Sequence, residues 1–168
     1  MSLNAYFSKI VGEKQGAFKG GVLQKGRENW IEIIASNHAI TSPRDPASGQ
    51  ATGKRAHGPI RARFYYDQSL TAWYQALVYN EGLKEVVISY FSANKLGTSG
   101  GTGVETLTYE VKLTNAFVAK VEFEMLNNKN PDLTRYENMA VVELVYQKIE
   151  GTWKLGNKIW SDDWLAPQ

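Results

Sequence analysis

The chain has no cysteine among its 168 residues. That absence removes disulfides, thiolate metal sites and cysteine nucleophiles together, so packing alone must hold the fold. Histidine is nearly as scarce, with His38 and His57 the whole supply. A zinc site on two histidines has to recruit carboxylates, and their spacing offers no ligand pattern, so no metal is expected. The same scarcity restricts acid–base catalysis, and no Gly-x-Ser-x-Gly elbow occurs for a hydrolase nucleophile. No apolar run approaches the roughly 20 residues that a helix needs to cross a bilayer, so no membrane insertion is expected. The first 16 residues lack the unbroken apolar core of a signal peptide, which predicts that any export proceeds without a cleaved signal. Neither sign of charge dominates: the net value is +2, which provides no general attraction to nucleic acid or membrane.

What is present describes one globular domain spanning 1–168, with 43% apolar residues and 12% aromatics. The most informative stretch is Gly53–Asn80, where the hydrophobic period changes. Ile60, Ala62, Phe64 and Tyr66 alternate with Arg61, Arg63 and Tyr65, the period of a strand. After Asp67 the apolar positions become Leu70, Trp73, Tyr74, Leu77 and Val78, which is the spacing of an amphipathic helix. The spacing predicts a helix over about 67–80, capped by Asp67 or Ser69 and ended by Gly82.

Elsewhere the pattern is of strands: Ala5–Val11, Trp30–Ile40, Glu85–Ser92, Val104–Leu113, Asn115–Met125, Glu137–Ile149 and a last one around Lys158. In Trp30–Ile40 both faces are partly apolar, as in a strand covered on two sides or lying at a subunit interface. Leu107, Tyr109, Val111 and Leu113 are expected inside, followed by Phe117, Ala119, Val121, Phe123 and Met125, with a turn or bend near Asn115. Residues 41–53 carry two prolines and no periodicity, so they form an extended loop, either a disordered tip or an ordered contact arm. The expected fold is mainly β: a β-barrel of about eight antiparallel strands, one flanking helix and that loop.

Few residue patterns in the chain carry chemistry. The glycine-dense segment Gly97–Gly103 has no lysine and helix behind it to make a phosphate cradle. Glu122 and Glu124 share a strand face but read as exposed acids rather than a glycosidase pair. Lys54, Arg55, Arg61 and Arg63 among Phe64, Tyr65 and Tyr66 suit single-stranded nucleic acid. Acidic positions elsewhere make head-to-tail self-association an equal reading. No catalytic residue and no cofactor is predicted.

Four stretches together resemble the Hcp family, the tube proteins of type VI secretion systems. They are Trp30–Ile34 followed by Asn37 and His38; Gly53–Pro59; the passage through Asp67 and Ser69; and Tyr146–Ile149 through Gly156 and Asn157 to Ser161–Trp164. Leu70 stands where the family usually has proline, and Gly151 where it usually has a bulky residue. The resemblance implies a structural protein, not an enzyme, whose hexameric rings stack into a tube expelled by a sheath behind a spike. It implies small effector proteins carried in the lumen, and a cytoplasmic subunit later secreted. It leaves no room for a toxic domain, because the chain stops at Gln168. The ring seam is then expected at Trp30, Ile31, Ile33 and Ile34. Inter-ring stacking is expected at Pro43, Arg44, Asp45, Pro46, Lys54, Arg55 and His57, with Gly97–Gly103 also along the axis. The alternatives are a tail-tube protein of a phage-like contractile particle and a monomeric nucleic-acid-binding barrel, with no nucleic acid expected for the preferred reading.

Overall fold

The structure is a computed structural model and describes residues 2–93 and 105–165, so Gly97–Gly103 lies outside the described residues. In chain order the elements are β1 (Ser2–Gly12), β2 (Gly16–Ala17), β3 (Ile31–Asn37), β4 (Ile40–Thr41), β5 (Ala56–His57) and β6 (Ile60–Tyr65). Then come α1 (Ser69–Val78), β7 (Leu83–Ala93), β8 (Glu105–Glu124), β9 (Met139–Trp153) and β10 (Lys158–Asp163). Eight strands form one antiparallel sheet in the order β10-β9-β6-β3-β1-β7-β8, with β2 beside β1. Because β8 also pairs with β9, the run β9-β6-β3-β1-β7-β8 closes on itself as a barrel. Closure gives those strands neighbours on both sides and leaves few free backbone edges. β10 hangs on β9 outside the closed ring. The expected mainly-β barrel with one helix is what forms.

Alternation explains most of the interior. Ile60, Ala62 and Phe64 of β6 point inward as read, beside Phe7, Ile31, Ile33, Leu144 and Ile149. Tyr66, which continues that alternation in the sequence, is exposed just past the end of β6. The two strands expected around Asn115 are one strand of 20 residues. Asn115 adopts φ 51° within it, a left-handed residue that switches which positions face in. Leu113 is buried before it, then Ala116 and Val118, while Phe117 is exposed. A second irregularity between Val118 and Lys120 returns Val121 to the core side. Met125 is exposed beyond the strand. Neither event disturbs the period of the letters, so simple alternation assigned Phe117 and Ala119 to the wrong face.

The helix is shorter than its apolar pattern, Ser69–Val78, and buries Ser69, Trp73 and Ala76 while Tyr74 and Val78 face outward. Trp73 reaches into the barrel against Phe18, Phe7 and Phe64, with ring centroids 5.2, 5.4 and 6.4 Å away. At the N-terminus Asp67 accepts the Ser69 amide at 2.8 Å, although Gln68 occupies the cap position and supplies no side-chain bond. The C-terminus is ended by Asn80, not Gly82. Asn80 takes φ 47°, its amide donates to Leu77 carbonyl and the Glu81 amide donates to Ala76 carbonyl, the paired bonds of a Schellman stop.

Gly151 has a local reason. Trp160 of β10 crosses over it and donates its indole N–H to the Tyr109 hydroxyl at 2.9 Å. A Cβ at Gly151 would overlap both groups. The Trp160 ring thus fills the space that a bulky residue at 151 would take. Gly151→Ala should destabilise by about 1–3 kcal/mol, as overpacking does. Urea unfolding at fixed protomer concentration checks this, and an unchanged midpoint would show that Trp160 is free to move aside.

Candidate functional site

Between β3 and β6 the chain leaves the barrel as an arm. β4 and β5 pair through Ile40–His57 and Thr41–Ala56, and a single bridge joins Arg44 to Ala51 further out. Thr52 amide donates to Pro43 carbonyl at 3.0 Å, and the Asp45 and Gly49 amides close the tip at 2.8 Å each. Asp45 organises that tip by accepting the Ala47 amide at 2.9 Å and the Ser48 hydroxyl at 2.7 Å. Those two donors, the Ala47 amide first, hold its carboxyl below the ordinary value. The extended loop is therefore an ordered hairpin whose polar backbone is largely satisfied by itself.

The arm is fastened where it meets the barrel. Arg55 grips Asp162 of β10 through two bonds of 2.8 Å each. His57 lies between Asp162, 2.7 Å from Nε2, and the Tyr146 hydroxyl, 2.9 Å from Nδ1. His38, on the connection entering the arm, places Nε2 at 2.6 Å from the same hydroxyl. Trp164 covers His57 with ring centroids 6.0 Å apart. Burial pushes His38 below the ordinary histidine value, and the neighbouring His57 adds to that. Burial, with Asp162 close by, pushes Tyr146 up to about 12. The Arg55 bonds, followed by the bond to His57, hold Asp162 below the ordinary carboxylate value against the opposing effect of burial. The outcome is a bonded row, His38–Tyr146–His57–Asp162–Arg55, linking both ends of the arm to β9 and β10.

Of the residues expected at contacts, Pro43, Arg44, Pro46 and Lys54 stand exposed on the arm, while Asp45 is half-buried within the tip. His57 does not belong with them: its side chain is 3% exposed, so it anchors the arm rather than meeting another subunit. Arg55 is turned toward Asp162, although 44% of its side chain stays exposed. Ile31 and Ile33 are buried in the barrel core and cannot line a seam, which leaves Trp30, half-buried, and Ile34, 41% exposed. The basic cluster is dispersed, with Arg55 on Asp162 and Arg61 3.7 Å from Glu143. Arg61 and Arg63 line an open recess with Ala35, Ser36 and Asn37. Glu122 is tied to Lys120 at 2.8 Å, as an exposed surface acid is. No cluster of three metal-ligating side chains occurs among the described residues.

Residue-by-residue reading missed the roles of Tyr146 and Asp162. Their signal lay in the stretches that carry the family resemblance: each of the five members of the row falls in one of them.

A closed barrel with one buttressing helix and a projecting, internally bonded hairpin defines the class of protein. The profile of the family described as "Type VI secretion system effector, Hcp" matches residues 7–153. The major exported protein of Pseudomonas aeruginosa is 30% identical over 176 residues, covering 99% of this chain and 98% of that protein. The structure of Hcp1 from E. coli EAEC 042 superposes with a TM-score of 0.79 at 29% identity, covering 96% of this chain and 99% of that one. Hcp3 from Pseudomonas aeruginosa shares the fold, with a TM-score of 0.75 at 22% identity over 98% and 99% of the two chains. The chain belongs to the Hcp family of type VI secretion systems. It is a structural, secreted protein of that tube-protein family and not an enzyme.

Proposed function

We propose that this chain is the repeating subunit of a type VI inner tube. Six copies close into a ring, rings stack, and a contracting sheath drives the tube out behind a spike, with small effector proteins in the lumen. Assembly takes place in the cytoplasm before export.

The observation that supports this reading best is the arm. It is folded before any partner arrives, bonded to itself at the tip and bolted at its foot to the barrel strand β9 and to β10 beside it. A preorganised projection loses little conformational freedom on binding, which suits repeated contact along an axis. A closed ring needs one side of each barrel against a different side of its neighbour, and Trp30 with Ile34 offers an apolar element for one of those sides. Pro43, Arg44, Pro46 and Lys54 are then the contacts between rings, a narrow exposed set that carries two cations.

Sizing and negative-stain microscopy of the purified protein test the reading. Annular particles near 113 kDa, six times the 18.8 kDa chain, are expected. Raising salt from about 0.1 to about 1 M, which shortens the screening length from roughly 10 to 3 Å, should separate stacks and leave rings. A monomer at high concentration that shifts with single-stranded DNA would overturn the proposal in favour of a nucleic-acid-binding barrel.

A further inference from the structure

The row at the foot of the arm contains both histidines of the chain, and nothing in tube building calls on them as acids or bases. Hydrogen-bond arithmetic constrains their protons. Asp162 accepts only, so His57 Nε2, 2.7 Å away, carries a proton. With His57 neutral, its Nδ1 is bare and accepts the Tyr146 hydroxyl proton across 2.9 Å. The Tyr146 oxygen in turn accepts from His38 Nε2–H across 2.6 Å. Each contact then holds one proton.

One added proton also fits. His57 as imidazolium donates from Nδ1 to the Tyr146 oxygen, and the hydroxyl rotates to a His38 whose tautomer leaves Nε2 bare. A second added proton has no such arrangement. Both imidazoliums would aim N–H groups at one oxygen, and the Tyr146 O–H would be left without an acceptor in a buried site. Loss of that hydroxyl proton is no relief, because burial and Asp162 hold it up to about 12.

We propose that this row is a two-proton latch, holding the arm to the barrel with no added proton or with one and releasing it when both histidines are charged. The groups that face it come from every element at the foot. They are His38 before β4, Arg55 before β5, His57 in β5, Tyr146 in β9 and Asp162 in β10. Asp162 gives His57 a counter-ion, whereas His38 has no carboxylate partner among the described residues. The direction is fixed by His38, whose value in the fold is lowered by burial and then by His57. Its contribution to holding the arm is complete above its ordinary value of 6.5 and is lost as pH falls through the lowered one. The latch acts within one subunit and does not require that rings form.

The absence of native cysteine allows a clean test. Ala47→Cys on the arm and Ala119→Cys on the barrel, both exposed, carry a spin-label pair in chains diluted with unlabelled protein. Pulsed distance measurements run from about pH 8 to about pH 5, across the range in which histidine titrates. The expected result is a narrow distribution that broadens on acidification, with a steepness near one proton per chain, because the singly protonated row still holds the arm. In H38Q the amide still donates to Tyr146 but cannot charge, so the distribution should stay narrow throughout. In Y146F the hub is lost and the distribution should be broad at every pH. A wild-type arm that stays narrow while NMR shows both histidines titrating overturns the latch. Release of H38Q at the wild-type pH overturns it equally, and that comparison stands even if Y146F fails to fold.

Discussion

Trp73→Ala should lower the stability of the subunit by about 3–5 kcal/mol, the cost of emptying a large aromatic site in a core that only partly collapses. Trp73 is fully buried and touches Phe7 of β1, Phe18 after β2 and Phe64 of β6. It is therefore where the helix, two barrel strands and the first hairpin meet. Its indole N–H has no hydrogen-bond partner among the described residues. Trp73→Phe removes that orphaned donor while keeping a ring, so its loss should fall well short of that for Trp73→Ala. Urea unfolding of both variants at one protomer concentration measures the difference. A loss below about 1 kcal/mol for Trp73→Ala would show that the helix does not depend on this side chain for docking.

Glu81→Ala is the second large effect, at about 1–3 kcal/mol and more if the freed amides stay dry. Glu81 is a buried carboxylate that accepts the Lys14 amide at 2.6 Å, the Gln15 amide at 2.7 Å and the Gln15 side chain at 2.8 Å. It thereby ties the end of α1 to the turn between β1 and β2. Burial alone would raise its value, but the Gln15 and Lys14 donors outweigh burial and hold it below 4.5. A carboxyl lowered in the fold contributes stability above its unfolded value and loses it as pH falls through the folded one. The gap between wild type and Glu81→Gln should therefore be widest near neutrality and shrink on acidification below pH 4.5. A gap independent of pH would mean that shape, not charge, is what Glu81 supplies.

Much of the architecture was legible because it is local. The change of period after Asp67 announced a strand running into a helix, and the apolar span Glu137–Ile149 announced β9. The arm was legible from its prolines and lack of period, although its self-bonded hairpin was not. The misreadings share one cause. Asn115 at φ 51° and the irregularity after Val118 change the inward face without changing the letters. Ile31 and Ile33 looked available for a neighbour because an isolated strand does not reveal which of its apolar faces the barrel takes.

His57 shows the boundary most clearly. In Gly53–Pro59 it read as a surface histidine in a basic arm, and its neighbours Lys54 and Pro46 do stand in solvent. Its partner Asp162 lies 105 positions away, and Tyr146 lies 89 positions away. By itself the sequence determined a cysteine-free barrel held by packing, a single amphipathic helix and a projecting segment, since each rests on the period or chemistry of adjacent residues. Only the tertiary structure decided that the arm is bolted down, and by which side chains. Hydrogen bonds between distant strands depend on register and closure, which no local pattern encodes.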